Sequence, residues 1–131
     1  MTTERSGRAL VTGASRGIGR AIARRLAGEY EIIAAARSRD DLDTLAAEIL
    51  ADGGRCTPLV LDVADGIAVE AALGALDVDV IVNNAGVGVL KPMMELAPDE
   101  WHRMIDVNLN ASFTSIARSC RECWIAARAT S

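Results

Sequence analysis

Four short apolar segments alternate with four amphipathic segments along the chain, and this alternation limits the folds that it can adopt. The apolar segments are rich in Val, Ile, Leu and Ala, which is typical of buried parallel strands. They span residues 8–12, 31–36, 57–63 and 77–83. Strands that alternate with helices across short connections predict an α/β fold, in which right-handed crossovers produce one parallel sheet with flanking helices.

The amphipathic segments predict four helices, because their apolar residues recur every three to four positions. The first helix begins at Gly17, and its apolar face contains Ile18, Ala21, Ile22 and Leu26. The second, which Asp40 or Asp41 caps, buries Leu42, Leu45, Ala46 and Ile49. The third spans residues 67–76, and the fourth is a long helix over residues 99–118.

Length and composition predict one globular domain over residues 1–131, because a chain of this length supplies one core and 50% of it is hydrophobic. The net charge is −4 and the Lys and Arg residues are scattered, so we expect no binding to nucleic acid. No apolar run is long enough to predict a membrane-spanning helix. Three cysteines, an odd number, and an N-terminal sequence without the apolar stretch of a signal peptide predict a reducing, cytoplasmic location.

A glycine-rich loop, Thr-Gly-Ala-Ser-Arg-Gly-Ile-Gly, follows the first strand at residues 12–19. We expect a tight turn at Gly13, close approach of the backbone to a pyrophosphate at Gly17, and close packing of helix on strand at Gly19. The next helix offers an anion its free N–H groups and the positive end of its dipole. Alone, such a loop is also compatible with an ordinary turn. After the first strand of a βαβ unit it predicts a dinucleotide site, which also includes Ser15, Arg16 and Ile18.

A second motif follows the fourth predicted strand and consists of Asn83, Asn84, Ala85 and Gly86. With the spacing Thr-Gly-x-x-x-Gly-x-Gly of the first loop, it resembles the short-chain dehydrogenase/reductase family. The resemblance extends over residues 8–117. It implies a truncated Rossmann-type, doubly wound parallel sheet of four strands in the order 3-2-1-4.

The resemblance also implies roles for individual residues. Asp62 and Val63 are expected to hold the adenine ring, and residues 83–86 to brace the central strands beside the cofactor. Asn108 is expected to be the Asn of the catalytic tetrad. Each has a second interpretation: Asp62 as a cap for the following turn, the second motif as turn chemistry, and Asn108 as a polar residue on a helix surface.

The end of the second strand favours NADP(H) over NAD(H). A carboxylate about twenty residues after the glycines binds free ribose hydroxyls, whereas an arginine accommodates a 2′-phosphate. This chain has Arg37 and Ser38 there, and Arg37 can form a forked pair of charge-assisted hydrogen bonds with a phosphate. Arg16 can reach the same phosphate from the glycine loop. The alternative is that Arg37 and Arg39 are solvated charges and that an acid at residues 40–41 binds the ribose.

The family's chemistry, hydride transfer between a nicotinamide and a carbonyl or alcohol, implies a Ser and a Tyr-x-x-x-Lys pair. The Tyr donates the proton and the Lys lowers its pKa. The sequence has one Tyr, Tyr30, and one Lys, Lys91, far apart, so the pair is absent. Because acid–base catalysis commonly contributes about 10²- to 10⁴-fold, we expect a catalytically inactive chain. The alternative function is a non-catalytic fragment that binds NADP(H) or self-associates; no substrate is predicted.

Residues 118–131 depart from the family's pattern in their Arg, Cys, Trp and Ala content. Back-translation in a shifted frame from Cys120 resembles the family's approach to its fifth strand, so we interpret this segment as a frameshift product. Cys120 and Cys123 alternatively form a redox or metal site. That interpretation is weak, because the chain lacks four ligands at zinc spacing and the pair follows a helix instead of preceding one, so we predict no metal site.

The fourth strand and the long helix predict self-association. In the order 3-2-1-4 the fourth strand is an edge, and its Val-Asp-Val-Ile-Val-Asn sequence is β-branched and apolar. The long helix adds an apolar stripe of Trp101, Ile105, Leu109 and Phe113. The expected partners are therefore a dinucleotide and a second copy of the chain.

Overall fold

The computed structural model describes residues 7–119, which form two compact units. The first contains residues 7–62 and 78–85, and the second contains residues 63–77 and 86–119. Cys120, Cys123 and the rest of the predicted frameshift segment beyond residue 119 lie outside the described residues.

The first unit is built on a four-stranded parallel sheet with the order β3-β2-β1-β4. Its strands are β1 Arg8–Thr12, β2 Glu31–Ala36, β3 Cys56–Val60 and β4 Val80–Val82. The predicted fold class and strand order are thereby confirmed. Because all four strands are parallel, their carboxyl ends lie on the same side of the sheet, and so do the chain segments that follow them.

Two helices of the first unit pack on this sheet, α1 Gly17–Leu26 and α2 Arg39–Ala51. The strands alternate with a period of two, and the side chains of one face form the core with both helices. This core includes Ala9, Val11, Ala23, Ile32, Ala34, Leu42, Leu45 and Ile49. The alternate residues Leu10 and Ile33 are buried as well, which explains why the strands read as continuous apolar runs.

The predicted apolar face of α1 is partly wrong. Ile18 is 74% exposed and Ala21 is exposed, while Ala23 is fully buried. The buried face is centred on Ala23 and Gly19 because small residues allow α1 to lie close to β1. Ile22 and Leu26 pack at its margin.

The predicted cap of α2 is also wrong. Ser38, not Asp40 or Asp41, caps this helix, and its Oγ accepts a hydrogen bond of 3.4 Å from the backbone N–H of Asp41. Both aspartates lie in the first turn, where the helix dipole favours carboxylates.

Two strands are shorter than predicted. β3 ends at Val60 instead of Val63, so Asp62 and Val63 lie in the connection that follows it. β4 begins at Val80 instead of residue 77. Just before β4 the carboxylate of Asp79 accepts a hydrogen bond of 2.7 Å from the backbone N–H of Arg8, and the backbone N–H of Asp79 donates to the carbonyl of Arg8 at 2.9 Å.

The second unit is helical. It contains α3 Gly66–Leu73, a 3₁₀ turn Met93–Glu95, α4 Pro98–Ile105, a π-helical turn Asp106–Asn110 and α5 Ala111–Ser119. The predicted single long helix is thus interrupted by a wider turn. The buried side chains of the second unit are Val63, Val69, Leu73, Val107, Ala111 and Ser115. α3 packs on α5 within this unit.

The predicted apolar stripe lies opposite this buried side. Trp101, Leu109 and Phe113 are exposed, and Phe113 is 76% exposed. Among residues 7–119, no helix has the length and apolar character needed to cross a membrane.

Candidate functional site

Gly13 and Gly19 hold the glycine-rich loop tightly against its neighbours. Gly13 has φ +64°, and a Cβ there would lie 2.8 Å from the Cα of Ala85. A Cβ on Gly19 would overlap the carbonyl oxygen of Gly13. A side chain at either position would therefore push the loop away from the sheet or α1 away from the loop.

Gly17 has a different environment. Its φ is +59°, and nothing lies within 4 Å of the position where a Cβ would be. The neighbouring side chains of Arg16 and Ile18 are exposed. The backbone at the start of α1 therefore borders open space, which is the condition for close approach by a ligand.

The first turn of α1 has no capping side chain. Arg16 occupies the N-cap without a side-chain hydrogen bond, and no acid lies in the first turn. In contrast, Ser38 caps α2, and Asp65 caps α3 through a bond of 3.1 Å from the N–H of Ala68. The N–H groups and positive dipole of α1 are thus available to an anion from outside the chain.

Thr12 fastens the loop to the end of β4. Its Oγ1 accepts hydrogen bonds from the backbone N–H groups of Asn84 at 3.0 Å and Ala85 at 3.1 Å, and donates to the carbonyl of Val82 at 3.4 Å. Asn84 Nδ2 in turn donates to the carbonyl oxygen of Gly13 at 3.3 Å. Thr12 is buried, so these bonds are shielded from water.

No specific role is predicted for the side chain of Thr12, and Asn84 is expected only as one of residues 83–86, which brace the central strands. The available signal was their position at the ends of two predicted strands, because parallel strands place their carboxyl ends together. The exact pairing, between residues more than seventy positions apart, depends on the register of β1 against β4.

The end of β2 lies beside the same loop. The N–H of Ala14 donates to the carbonyl of Ala35 at 3.2 Å, so the loop is bonded to the residue two positions before Arg37. The Arg37 side chain is exposed, and within residues 7–119 neither it nor Arg16 forms an ion pair. Ser38 is half-buried and its hydroxyl serves as the α2 cap.

The remaining expected residues have varied surroundings. Asp62 is half-buried and Val63 is buried in the connection after β3. Asn83 is exposed and Ala85 is half-buried beside Gly13. Gly86 is exposed and belongs to the second unit.

Asn108 lies in the π-helical turn of the second unit and binds one residue twice. Its Oδ1 accepts from the N–H of Val87 at 2.9 Å, and its Nδ2 donates to the carbonyl of Val87 at 2.8 Å. The carboxamide therefore fixes the backbone immediately after the second motif. π-helical turns are frequent at functional sites because they reorient one side chain within a helix.

Among the described residues 7–119, the titratable groups include no Tyr-x-x-x-Lys pair of the kind that the family's reaction implies. Lys91 Nζ lies 2.6 Å from Glu100 Oε1, and this hydrogen bond lowers the pKa of Glu100. Tyr30 lies just before β2 in the first unit, whereas Lys91 belongs to the second.

Burial raises the pKa of the Cys56 thiol to about 11, so the thiol is unreactive at neutral pH. No group of acids, His or Cys within residues 7–119 is arranged to hold a metal ion.

Comparison with known proteins shows that the chain is similar to short-chain dehydrogenases and reductases. A family model described as short chain dehydrogenase matches residues 8–129. The chain is 42% identical over 106 residues to L-xylulose reductase from Bos taurus, covering 79% of this chain and 42% of that protein. The chain spans less than half the length of the curated relatives it matches.

Solved structures give the same result. A metagenomic short-chain oxidoreductase in complex with NADP has a TM-score of 0.88 at 35% identity, covering 92% of this chain and 58% of that one. An alcohol dehydrogenase from the archaeon Thermococcus sibiricus, complexed with 5-hydroxy-NADP, has a TM-score of 0.81 at 40% identity. The match covers 86% of this chain and 51% of that one.

Replacement of Thr12 tests the connection between β1 and β4. Thr12→Val keeps the shape but leaves two backbone N–H groups without an acceptor, so we expect the free energy of unfolding to fall by about 2–4 kcal/mol. Thr12→Ser is the control, because it keeps the hydroxyl. The measurement is urea unfolding followed by circular dichroism. Equal losses for the Val and Ser variants would show that the hydrogen bonds contribute nothing.

Proposed function

The chain belongs to the short-chain dehydrogenase/reductase family of oxidoreductases, and we propose that its first unit binds NADP(H) at the glycine-rich loop. The observation that carries this proposal is the start of α1. There an uncapped helix terminus borders open space at Gly17, while the flanking glycines are closely packed. This arrangement suits a pyrophosphate, whose oxygens need N–H donors and close access to the backbone.

The preference for NADP(H) over NAD(H) rests on charge. Arg37 follows β2 directly, is exposed and lacks an ion pair within the described residues, as does Arg16 in the loop. Ser38 already caps α2, and Asp40 and Asp41 lie within the first turn of that helix. A 2′-phosphate would therefore meet two arginines, whereas a free ribose would find no carboxylate at the strand end.

Other roles in this proposal follow the family resemblance. Asp62 and Val63 contact the adenine, and Asn83, Ala85 and Gly86 support the strands beside the cofactor. Ser15 and Ile18 adjoin the pyrophosphate in the loop. Asn108 acts through the backbone of Val87 and is a positioning residue. When bound, the nicotinamide of such a cofactor supplies hydride chemistry toward a carbonyl or alcohol.

We propose that a polypeptide of this sequence binds the cofactor without catalysing carbonyl reduction. The sequence contains one Tyr and one Lys, and Lys91 is held by Glu100. A transferred hydride leaves an alkoxide that must gain a proton, and the described residues provide no Tyr–Lys pair to donate it. Oxidoreductase activity is thus a property of the family, and cofactor binding is the function that we propose for this chain.

A second proposal is self-association with another copy of the chain. β4 is the last strand on its side of the described sheet, and its three residues are β-branched. In the second unit Leu109 and Phe113 are exposed, at 63% and 76%. An unpaired edge strand and a large exposed apolar surface each favour association.

Turnover measurements test the catalytic part. We expect purified protein with NADPH and a panel of ketones and ketoses to show no reduction above background, because the sequence lacks the Tyr-x-x-x-Lys pair that would donate the proton. The readout is loss of NADPH absorbance. Turnover at an ordinary enzymatic rate, roughly 1 to 10³ per second, would contradict the prediction.

Arg37→Ala tests cofactor preference. Loss of a charged hydrogen bond to the 2′-phosphate should weaken NADPH binding by about 1.5–3 kcal/mol, which is roughly ten- to a hundredfold, and leave NADH binding almost unchanged. Calorimetric titration with both cofactors provides the measurement. Arg39→Ala, two residues further along, is the matched control and should change neither affinity. Equal weakening of NADPH and NADH by Arg37→Ala would show that Arg37 does not contact the 2′-phosphate.

Ile81→Lys tests self-association through β4. A charge in the middle of this strand should reduce the mass measured by light scattering at roughly 100 μM, because edge strands that carry Lys resist pairing. Phe113→Ser provides the same test for the exposed helical surface. A wild-type chain that is already a monodisperse monomer would exclude this proposal.

A further inference from the structure

Arg20 joins three segments of the first unit. It lies in the first turn of α1, directly after residues 12–19 of the glycine-rich loop. Its Nη1 donates to the carbonyl oxygen of Ser15 in the loop at 3.2 Å and to that of Asp41 in the first turn of α2 at 3.2 Å. Its Nη2 lies 2.8 Å from Glu48 Oε1. One guanidinium therefore bridges the loop, the start of α2 and the middle of α2.

Arg24, the next arginine on the same face of α1, shares only the ion pair with Glu48. Arg24 Nη1 lies 3.6 Å from Glu48 Oε2, and its Nη2 lies 3.2 Å from Asp52 Oδ2. It shares the partner Glu48 with Arg20 and carries the same charge. Within residues 7–119 it forms no hydrogen bond with the loop or with the first turn of α2, which makes it a natural control.

The two residues whose carbonyls Arg20 binds lie close in sequence to the two arginines of the proposed 2′-phosphate site. Ser15 directly precedes Arg16, and Asp41 lies one helical turn after Arg37 and Ser38. A phosphate held from two sides requires that both segments keep a fixed spacing, since misplacement of a charged donor by about an ångström weakens the contact sharply. Arg20 is the side chain that bonds to both segments.

We propose that Arg20 is a specificity-determining positioning residue, which holds the glycine loop and the start of α2 at the spacing that a 2′-phosphate requires. This inference rests on the proposed binding of NADP(H). Arg20 does not itself contact the phosphate, because both Nη1 bonds go to backbone carbonyls and its charge is balanced by Glu48. The planar fork of a guanidinium is essential, since one ammonium cannot reproduce this three-way geometry.

The test compares Arg20→Met with Arg24→Met by titration of NADPH and NADH into each purified variant. Arg20→Met should raise the Kd for NADPH about tenfold and the Kd for NADH by less than about threefold, because NADH has no 2′-phosphate to position. Arg24→Met should leave the ratio of the two Kd values within about twofold of wild type. Both substitutions remove contacts with Glu48, so general weakening of the α1–α2 packing affects both variants.

Arg20→Lys separates positioning from stability and keeps the test valid if Arg20→Met does not fold. Lysine retains a charge beside Glu48, so the thermal midpoint should recover toward wild type, while selectivity for NADPH over NADH stays lowered about tenfold. Full recovery of selectivity by lysine would overturn the inference, and so would equal effects of Arg20→Met and Arg24→Met. In either case, tight NADPH binding by wild type and its selective loss in Arg37→Ala would leave the proposed function standing. Absence of NADPH binding by wild type would overturn both.

Discussion

The hydroxyl of Thr12 holds the ends of β1 and β4 together, and the candidate site depends on that connection. Asn84 and Ala85 follow a strand of only three residues, so the sheet ladder alone does not fix them. Once they are bonded to Thr12, Ala85 lies against Gly13, where only a glycine fits. Gly13 in turn limits residue 19 to glycine, which sets where α1 begins. A single buried oxygen thus determines where the uncapped helix terminus lies.

Ion pairing distinguishes two arginines of α1 from the two arginines of the proposed 2′-phosphate site. Arg20 and Arg24 are paired with the acids of α2 and hold the two helices together. Arg16, in the loop, and Arg37, after β2, form no ion pair within residues 7–119. Exposed ion pairs contribute little stability, so the network matters mainly because it fixes the geometry of α1 against α2. Arg16 and Arg37 stay outside this network, as the proposed binding of an anionic ligand requires.

Local pattern was sufficient to predict the parallel sheet, because apolar runs such as residues 31–36 can be recognised without their partners, whereas the strand order was implied by the family resemblance. The ends of elements were less predictable. β4 starts at Val80, directly after Asp79, whose carboxylate binds the N–H of Arg8, and the N-cap of α2 is Ser38 instead of either nearby aspartate. The bridging bonds of Arg20 and Thr12 join segments distant in sequence, so they require the register of the folded sheet. The interruption of the long helix at Asp106–Asn110 likewise left no mark in its apolar periodicity.

Binding and catalysis make different demands on such a chain. A pyrophosphate site needs backbone N–H groups, glycines and unpaired cations, and the loop between β1 and α1 gathers these within a few residues. Proton transfer needs a titratable side chain with a shifted pKa beside the reacting atom. Asn108 cannot provide one, since its carboxamide does not ionise and both its polar atoms bind Val87. The proposed binding half of the family's chemistry thus rests on backbone geometry and unpaired arginines, while the catalytic half depends on two side chains that this sequence does not pair.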